Sequence, residues 1–188
     1  MGNDSSRDTS PVVAVVLLVA VAVLVLGGLY SLTALDFGPA GDGSAPSVSE
    51  SDGRLWLAGD GSYSTVELTH EAGDTLNVSE LELVVSAQSA CGKSGRLFDL
   101  PAPDGDLTPA SAYVRGDDIF DTSDDAVTGP IGEDNVTVDG TWSAGETATF
   151  RIDSGACSLS PGNEILVRIS HAPTGAVLTQ QRLTAESA

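Results

Sequence analysis

The strongest constraint on the fold is an uncharged, apolar run near the N-terminus. From Pro11 to Leu35, 25 consecutive residues carry no charged side chain, and most of them are Val, Leu or Ala. As a helix this run would be about 37 Å long, which is enough to cross the hydrocarbon core of a bilayer with some tilt. Ser10 and Pro11 favour a helix start, because Ser caps helix N-termini and Pro suits the first helical position. We therefore predict a long hydrophobic helix over residues 9–35.

Three roles are open for such a helix: a cleaved secretory signal, a permanent membrane anchor, or the core element of a filament. A secretory signal has a basic leader, an apolar core of about 7–15 residues and a small-x-small cleavage site. Here the leader, residues 1–8, carries one Arg against two Asp, and Leu32 occupies the position where a cut after Ala34 requires a small residue. A removed signal is disfavoured. We expect the leader in the cytoplasm and everything after Asp36 outside.

The rest of the chain is acidic and poor in lysine. The full sequence has 27 Asp and Glu against 8 Lys and Arg, a formal charge of −19, and Lys93 is its one lysine. A surface of this charge repels the phosphate backbone, so nucleic acid is not an expected partner. Dense like charges repel one another, and salt screens this repulsion over about 3 Å at 1 M. The composition therefore favours a halophilic protein that works in strong brine.

Beyond a Gly-, Pro- and Ser-rich linker at residues 36–50, short segments alternate apolar and polar residues and are separated by turn residues. A two-residue period is typical of β-strands. The alternating segments are 63–70, 79–87, 135–142, 147–152, 164–171 and 176–183. The Asp-, Pro- and Gly-rich segment 99–134 is expected to be a long excursion. We predict a mainly β fold in which the long N-terminal α-helix is followed by an extracellular antiparallel β-sandwich domain over residues 51–188.

The two cysteines, Cys91 and Cys157, each follow a predicted strand in a turn of small residues. Outside the cell two such thiols are expected to pair. Closing a loop of this length stabilises a domain by about 4 kcal/mol in the chain-entropy model. A metal thiolate site, which two Cys and distant His cannot complete, and two free thiols are the alternatives. We predict the disulfide.

Few residues offer other chemistry. His70 and His171 each end a predicted strand, and we interpret them as turn histidines rather than as a shared metal site. The run Asp117–Asp125 lacks the central Gly and ordered spacing of a calcium loop and is interpreted as a solvated acidic loop. No Ser-His-Asp spacing or glycine-rich phosphate loop occurs, so we expect no catalytic residue, cofactor or metal. Asn77 and Asn135 begin sequons and are candidate glycosylation sites.

Several blocks of the sequence resemble archaeal type IV pilins, especially those of halophilic archaea. In that family a basic residue, a small residue and a variable residue precede Ser-Pro-Val-Ile and the helix, and here the stretch reads "RDTSPVV". The blocks "VELTHEAGDTLNVSELELVV", "TWSAGETATFRI" and "PGNEILVRISHAPTGAVLTQQRL" are similar to the β-domain of the family. The similarity covers residues 7–35, 63–86 and 140–184. It implies a structural subunit of a type IV pilus-like surface filament that functions in adhesion.

The resemblance also implies how the chain is processed. Pilin precursors are cut just before the helix by a membrane aspartyl peptidase, the prepilin-type signal peptidase. Here the cut would fall between Asp8 and Thr9, with Arg7 as the basic recognition residue. The chain departs from the family at Asp8, where Gly or Ala is usual.

A uniformly apolar helix leaves lipid only for an equally apolar place, such as the core of a filament. Small residues permit close helix packing. Those in the run are Ala14, Ala20, Ala22, Gly27 and Gly28. Head-to-tail packing does not close, so it propagates as a filament of this chain or of this chain with other pilins. We expect a single-pass membrane protein before assembly and a surface filament afterwards. The alternative is a single-span, membrane-anchored extracellular binding module that does not polymerise.

Overall fold

The described residues form a nine-stranded sheet and a second, two-stranded sheet. The structure, a computed structural model, describes residues 44–103, 107–133 and 140–187, all within one compact unit, Ala40–Ala188. The strands are, in chain order, β1 (Val48–Leu57), β2 (Tyr63–Gly73), β3 (Leu76–Asn77), β4 (Leu81–Ala87), β5 (Lys93–Leu97), β6 (Val114–Gly116), β7 (Val127–Thr128), β8 (Thr141–Trp142), β9 (Thr147–Asp153), β10 (Glu164–His171) and β11 (Ala176–Ser187). Single 3₁₀ turns at Val78–Glu80 and Gly129–Ile131 follow β3 and β7. The large sheet has the order β6-β5-β4-β10-β11-β1-β2-β9-β7, and β3 pairs with β8.

Alternation of apolar and polar residues gives the long strands one buried face. In β10 every second residue from Ile165 to His171 is buried, and β4 and β9 follow the same pattern. These inner faces contribute to one apolar core. Phe120 packs between the two ends of the sheet. Its ring lies edge-on to the ring of Phe150 in β9, and a Cβ added at Gly95 of β5 would lie 2.7 Å from the Phe120 ring. The sheet therefore curls around a single core.

The predicted fold class, a long α-helix followed by an antiparallel β-sandwich, is wrong. The described residues are rich in β-strand and contain no α-helix. Within them, no helix has the length and apolar character needed to span a membrane. The segment 9–35, over which the helix was expected, lies outside the described residues, as does the leader 1–8. Strand β1 begins at Val48, within the segment predicted as a linker.

The large sheet is mixed, which is why it is not an antiparallel sandwich. Strands β1 and β11 run parallel, with Leu55 paired to Ala185 and Leu57 to Ser187. The other strand pairs are antiparallel. Alternation along a strand indicates which face is buried, but it does not indicate which strand lies beside it or in which direction that strand runs. The parallel pair was therefore not visible in the sequence pattern.

The parallel junction joins two halves of the large sheet. The first half is β6-β5-β4-β10-β11, and the second half is β1-β2-β9-β7. Beyond the paired positions, side chains bridge the halves: Ser51 Oγ lies 2.7 Å from Thr179 Oγ1, and Gln181 Nε2 donates to the Ser51 carbonyl oxygen over 2.7 Å. A Cβ added at Gly53 would lie 2.7 Å from the Leu183 side chain, so glycine permits this close approach.

The acidic segment predicted as an excursion lies against the core. It supplies both edge strands of the large sheet, β6 and β7. Within the run Asp117–Asp125, Ile119 and Phe120 are fully buried while the two aspartates before them are exposed. The loop is therefore fixed to the domain by two apolar residues and presents its carboxylates to solvent.

Candidate interaction surfaces

The predicted disulfide between Cys91 and Cys157 is confirmed. The sulfur atoms are 2.01 Å apart and the Cα atoms 5.5 Å apart. Cys91 lies in the turn between β4 and β5, and Cys157 lies after β9, so the bond connects the two halves of the sheet. Lys93 lies beside it and donates from Nζ to the Ala156 carbonyl oxygen over 2.7 Å. The disulfide therefore links the two halves covalently at the end of the sheet where β1 and β11 also pair.

The two histidines occupy separate structural positions. His70 is buried in β2, with Nε2 2.9 Å from the Asp74 carbonyl oxygen. His171 ends β10; its Nδ1 lies 2.9 Å from Thr174 Oγ1 and its Nε2 lies 3.4 Å from a carboxylate oxygen of Glu80. Among the described residues, no group of three or more His, Cys, Asp and Glu side chains is placed to hold a metal ion. Each histidine side chain therefore stabilises a neighbouring turn through a hydrogen bond.

Hydrogen bonds from serine residues lower the pKa of two exposed carboxyl groups, those of Asp74 and Asp60. The Ser47 backbone N–H and then its hydroxyl, both donating to Asp74, lower the pKa of that carboxyl below its ordinary value. The Ser62 hydroxyl and then its backbone N–H lower the pKa of Asp60 in the same way. The Asp60 carboxylate caps a local turn, whereas the Asp74 carboxylate connects the end of β2 to the residue just before β1.

Asn77 is exposed at the start of the 3₁₀ turn Val78–Glu80. Its Oδ1 accepts hydrogen bonds from the backbone N–H of Ser79 over 3.3 Å and from the Ser79 hydroxyl over 2.8 Å. The asparagine is therefore on the surface, and its glycosylation stays a prediction. The remaining predicted site residues lie outside the described residues: Arg7, Asp8, Thr9, Ala14, Ala20, Ala22, Gly27, Gly28 and Asn135.

The outer face of the first half carries a row of arginines. Across the strands, Arg115 pairs in register with Arg96, and Arg96 with Val84. Val84 in turn pairs with Arg168 of β10, and Arg182 of β11 pairs with Leu166, which lies two residues before Arg168 and on the same face. Residues directly opposite each other on neighbouring strands share a face. Four of the chain's 8 Lys and Arg therefore lie on this one face.

The four arginines differ in their partners. Arg96 and Arg182 form ion pairs with Glu82 and Glu164 at 3.3 Å and 3.5 Å, whereas Arg115 lies 4.2 Å from the centroid of the Phe98 ring. The Nε of Arg168 is buried and has no hydrogen-bond partner. Half-buried or exposed apolar side chains lie among them. We call this surface the arginine face: Arg96, Arg115, Arg168 and Arg182 with Val84, Phe98, Leu166 and Val177.

The outer face of the second half carries acidic side chains around Arg54. Asp52, Glu67 and Glu71 line a shallow cavity of about 240 Å³ on β1 and β2, together with Arg54 and Thr69. Arg54 pairs with Asp52 at 3.6 Å. Arg54 also lies directly opposite Glu67 in the register, but among the described residues neither glutamate forms an ion pair. We call Asp52, Glu67 and Glu71 the acidic face.

Sequence reasoning missed both faces. Arg168 occupies a polar position between Val167 and Ile169, which predicts that its side chain is exposed but does not indicate which residues lie beside it. Arg96 and Arg168 are 72 positions apart, and only the pairing of β5, β4 and β10 brings them into one row. The available signal was limited to Arg168 and Arg182, which lie in the alternating segments 164–171 and 176–183, whereas Arg96 and Arg115 lie outside the alternating segments.

Comparison of the chain with protein families, with curated proteins and with solved structures finds no match. The order of the parts along the chain and these surfaces are therefore the observations that bear on function.

Proposed function

We propose that the chain is a structural, pilin-like subunit of an archaeal type IV pilus-like surface filament, with a role in adhesion. The observation that carries the proposal is the order of its parts. An uncharged apolar segment of 25 residues, Pro11–Leu35, precedes a β-rich domain closed by a disulfide. Such a segment is stable in lipid or among other apolar segments, where small residues permit close packing. Copies bundled through this segment would form the core of a filament and hold their β-domains outside it.

The proposal places the β-domain outside the cell. Disulfides persist in oxidising compartments and are rare in the cytosol, and Cys91 is bonded to Cys157. Before assembly the chain would be a single-pass membrane protein. The prepilin-type signal peptidase would then cut between Asp8 and Thr9. Removal of the charged leader would free the apolar segment to leave the bilayer for the filament.

One observation favours a second function, a membrane-anchored extracellular binding module that does not polymerise. Asp8 stands where the family that the chain resembles usually has Gly or Ala. If the leader stays, Asp4, Arg7 and Asp8 stay with it. A charge moved into an apolar bundle costs about 2.5–3.5 kcal/mol, so an uncut chain would remain at the membrane surface.

Electron microscopy and mass spectrometry of material sheared from cells separate the two functions. We expect filaments that contain the chain with Thr9 as its first residue. Ala20→Asp should abolish them, because one charge in an apolar bundle costs about 2.5–3.5 kcal/mol per subunit. Ala20→Ser, which stays small and uncharged, and the surface change Asp124→Asn should leave filaments intact. Circular dichroism checks that the β-domain of each variant is folded.

The opposite result is equally specific. A chain that is recovered only as a detergent-extracted monomer, with Met1 or Gly2 at its N-terminus, would support the anchored binding module. An N-terminus beyond Leu35 would instead identify the apolar segment as a removed secretory signal.

A further inference from the structure

The parallel junction leaves a cavity on the outer side of the sheet. Strands β1 and β11 pair only over Leu55–Leu57 and Ala185–Ser187. Before these pairs, the inward side chains of Ser51 and Gln181 connect the two strands. On the outer side a cavity of about 600 Å³ lies between the strands, within the range of about 300–1,000 Å³ that is typical of ligand pockets. We call it the junction groove and define it by its outward side chains: Arg54, Trp56, Arg182, Thr184 and Glu186.

Trp56 is a half-buried aromatic residue on the outer side of the sheet. In the register it lies between Thr65 of β2 and Glu186 of β11. Two other half-buried aromatic residues, Tyr63 and Phe98, each have an arginine over the ring, 4.4 Å and 4.2 Å from the centroid. Within the described ranges, Trp56 has no arginine over its ring, no aromatic neighbour and no hydrogen bond from its indole N–H. A flat apolar surface and one donor are therefore free in the groove.

The two arginines of the groove have donors to spare. Arg54 Nε lies 3.6 Å from a carboxylate oxygen of Asp52, and one terminal nitrogen of Arg182 lies 3.5 Å from Glu164. Both distances are longer than a typical hydrogen bond, and each contact uses one nitrogen of a group with several N–H donors. The two arginine side chains are 73% and 71% exposed, so a ligand can reach the other donors. Glu186 forms no ion pair among the described residues and adds a free acceptor.

The charges around the groove favour a neutral ligand. Each of its arginines already has a carboxylate beside it, and Glu186 adds a further negative charge. The whole chain carries a formal charge of −19, so no excess of positive charge attracts an anion. A neutral ligand that uses both the donors and the acceptor needs groups of both kinds, and a hydroxyl group is donor and acceptor at once. Several hydroxyl groups on a ring with a C–H face are the chemistry of a sugar.

We propose that the junction groove binds a neutral glycan, with one sugar ring stacked on Trp56. The C–H groups of a sugar ring carry a slight positive charge and pack on the negative face of an aromatic ring. The sugar hydroxyls donate to Glu186 and accept from Arg54 and Arg182. Salt screens attraction between exposed charges but not stacking, so this contact suits the strong brine that the composition favours. The inference rests on the proposed function, because it names the class of surface to which an adhesive subunit binds.

A glycan array probed with the full-length chain in molar KCl tests the inference. The chain is held in a detergent without a sugar headgroup, so that the detergent does not compete for the groove. The printed probes are neutral oligosaccharides, uronate oligosaccharides and heparin, and we expect retention on a subset of the neutral ones. Titration with a retained glycan should change the tryptophan fluorescence. The change reports on Trp56, because Trp142 is buried with its Nε1 bonded to the Glu146 carbonyl oxygen.

Variants connect the binding to the groove. Trp56→Ala should weaken binding about tenfold or more, whereas Trp56→Phe, which keeps a flat ring, should retain most of it. Arg182→Gln should also weaken binding about tenfold, because hydrogen bonds to charged groups are the stronger ones. The Arg182 side chain is 71% exposed, so its replacement does not disturb the core. The control Phe98→Ala removes a half-buried ring outside the groove and should leave the affinity unchanged. Circular dichroism checks that each variant is folded.

Three results would overturn the inference: no retention of neutral glycans in molar KCl, retention that Trp56→Ala and Arg182→Gln leave unchanged, or retention on uronates and heparin alone. The array needs no filaments, so its result is independent of assembly. Glycan binding by a chain that forms no filaments would support the groove and favour the anchored binding module. Filaments without glycan binding would leave the filament standing and overturn the groove as a glycan site.

Discussion

The two halves of the sheet are alike on the inside and different on the outside. Every second residue is buried in β4 of the first half and in β9 of the second. On the outside, the first half presents four arginines, two of them paired with glutamates, among apolar side chains. The second half presents carboxylates and threonines around Arg54 and Arg151. Exposed ion pairs such as Arg96–Glu82 contribute only about 0–1 kcal/mol each. Folding therefore constrains the inner faces strongly and the outer faces weakly, and the outer difference is the part that points to function.

Breaking what the halves share should have the largest effect. Phe150 is fully buried on β9, and its ring centroid lies 6.0 Å from that of Phe120. Phe150→Ala should lower the free energy of unfolding by about 3–5 kcal/mol, because it removes buried apolar surface and leaves a cavity. Urea unfolding of the full chain in detergent, followed by circular dichroism, measures this. The control Val177→Ala, on the exposed arginine face, should stay within about 0.5 kcal/mol. Similar losses in both variants would contradict the distinction between inner and outer faces.

The disulfide is the covalent connection between the halves, and its removal should have the next largest effect. Replacing both Cys91 and Cys157 with Ser should lower the free energy of unfolding by about 2–4 kcal/mol, because the unfolded chain gains freedom. Reduction of the wild type should reproduce the loss. Thiol labelling of the denatured, unreduced wild type should find neither cysteine free. Two labelled thiols, or a double variant as stable as the wild type, would be the contrary outcome.

The side-chain bridge at the junction should contribute less than the disulfide. Gln181 Nε2 lies 2.7 Å from both the carbonyl oxygen and the hydroxyl of Ser51. Gln181→Ala should lower the free energy of unfolding by about 1–2 kcal/mol, since each lost hydrogen bond contributes roughly 0.5–1.5 kcal/mol. Its neighbour Gln180 is exposed on the outer face, so Gln180→Ala is the matched control and should be nearly neutral. If the two alanine variants unfold at the same urea concentration, the junction does not depend on this bridge.

The sequence predicted elements that alternate clearly and missed those that do not. Strands β2, β4, β9, β10 and β11 lie where a two-residue period occurs, because each buries one face. β1 was placed partly in a linker, since its inward positions include Ser51 and Gly53 rather than large apolar residues. Those small residues fit the close approach of β11, a constraint that exists only once the parallel pair has formed. The cysteines could be paired because there are only two.

The surfaces depend on information that a single strand does not carry. An outward arginine in β10 looks the same whether its neighbours are acidic, basic or apolar. Its environment is set by the register with β4 and β11, which places Val84 and Gln180 beside Arg168. The acidic face likewise needs β1 and β2 paired so that Asp52 lies opposite Thr69, next to Glu71. The charges were visible in the sequence, but their grouping on the outer faces of the two halves was not.

The smallest expected effect concerns a contact confined to the second half. Ser47, just before β1, donates its backbone N–H and hydroxyl to Asp74 at the end of β2, each over 3.0 Å, and these bonds lower the pKa of Asp74 below the ordinary value of 3.8. A carboxyl whose pKa is lower in the folded than in the unfolded state stabilises the fold above the unfolded pKa, and the contribution disappears as the pH falls through the folded pKa. Asp74→Asn should therefore slightly reduce the loss of stability that follows acidification below pH 3.8. The residues at the junction should move little. Ser47→Ala, which removes the hydroxyl donor and keeps the backbone N–H, is the control and should reduce that loss by less than Asp74→Asn does. Thermal melting of both variants between neutral pH and the acid range measures this effect. Asp74 is fully exposed, so we expect only a small change in stability. A change in stability as large as that of Gln181→Ala would mean that this contact stabilises both halves and not only the second.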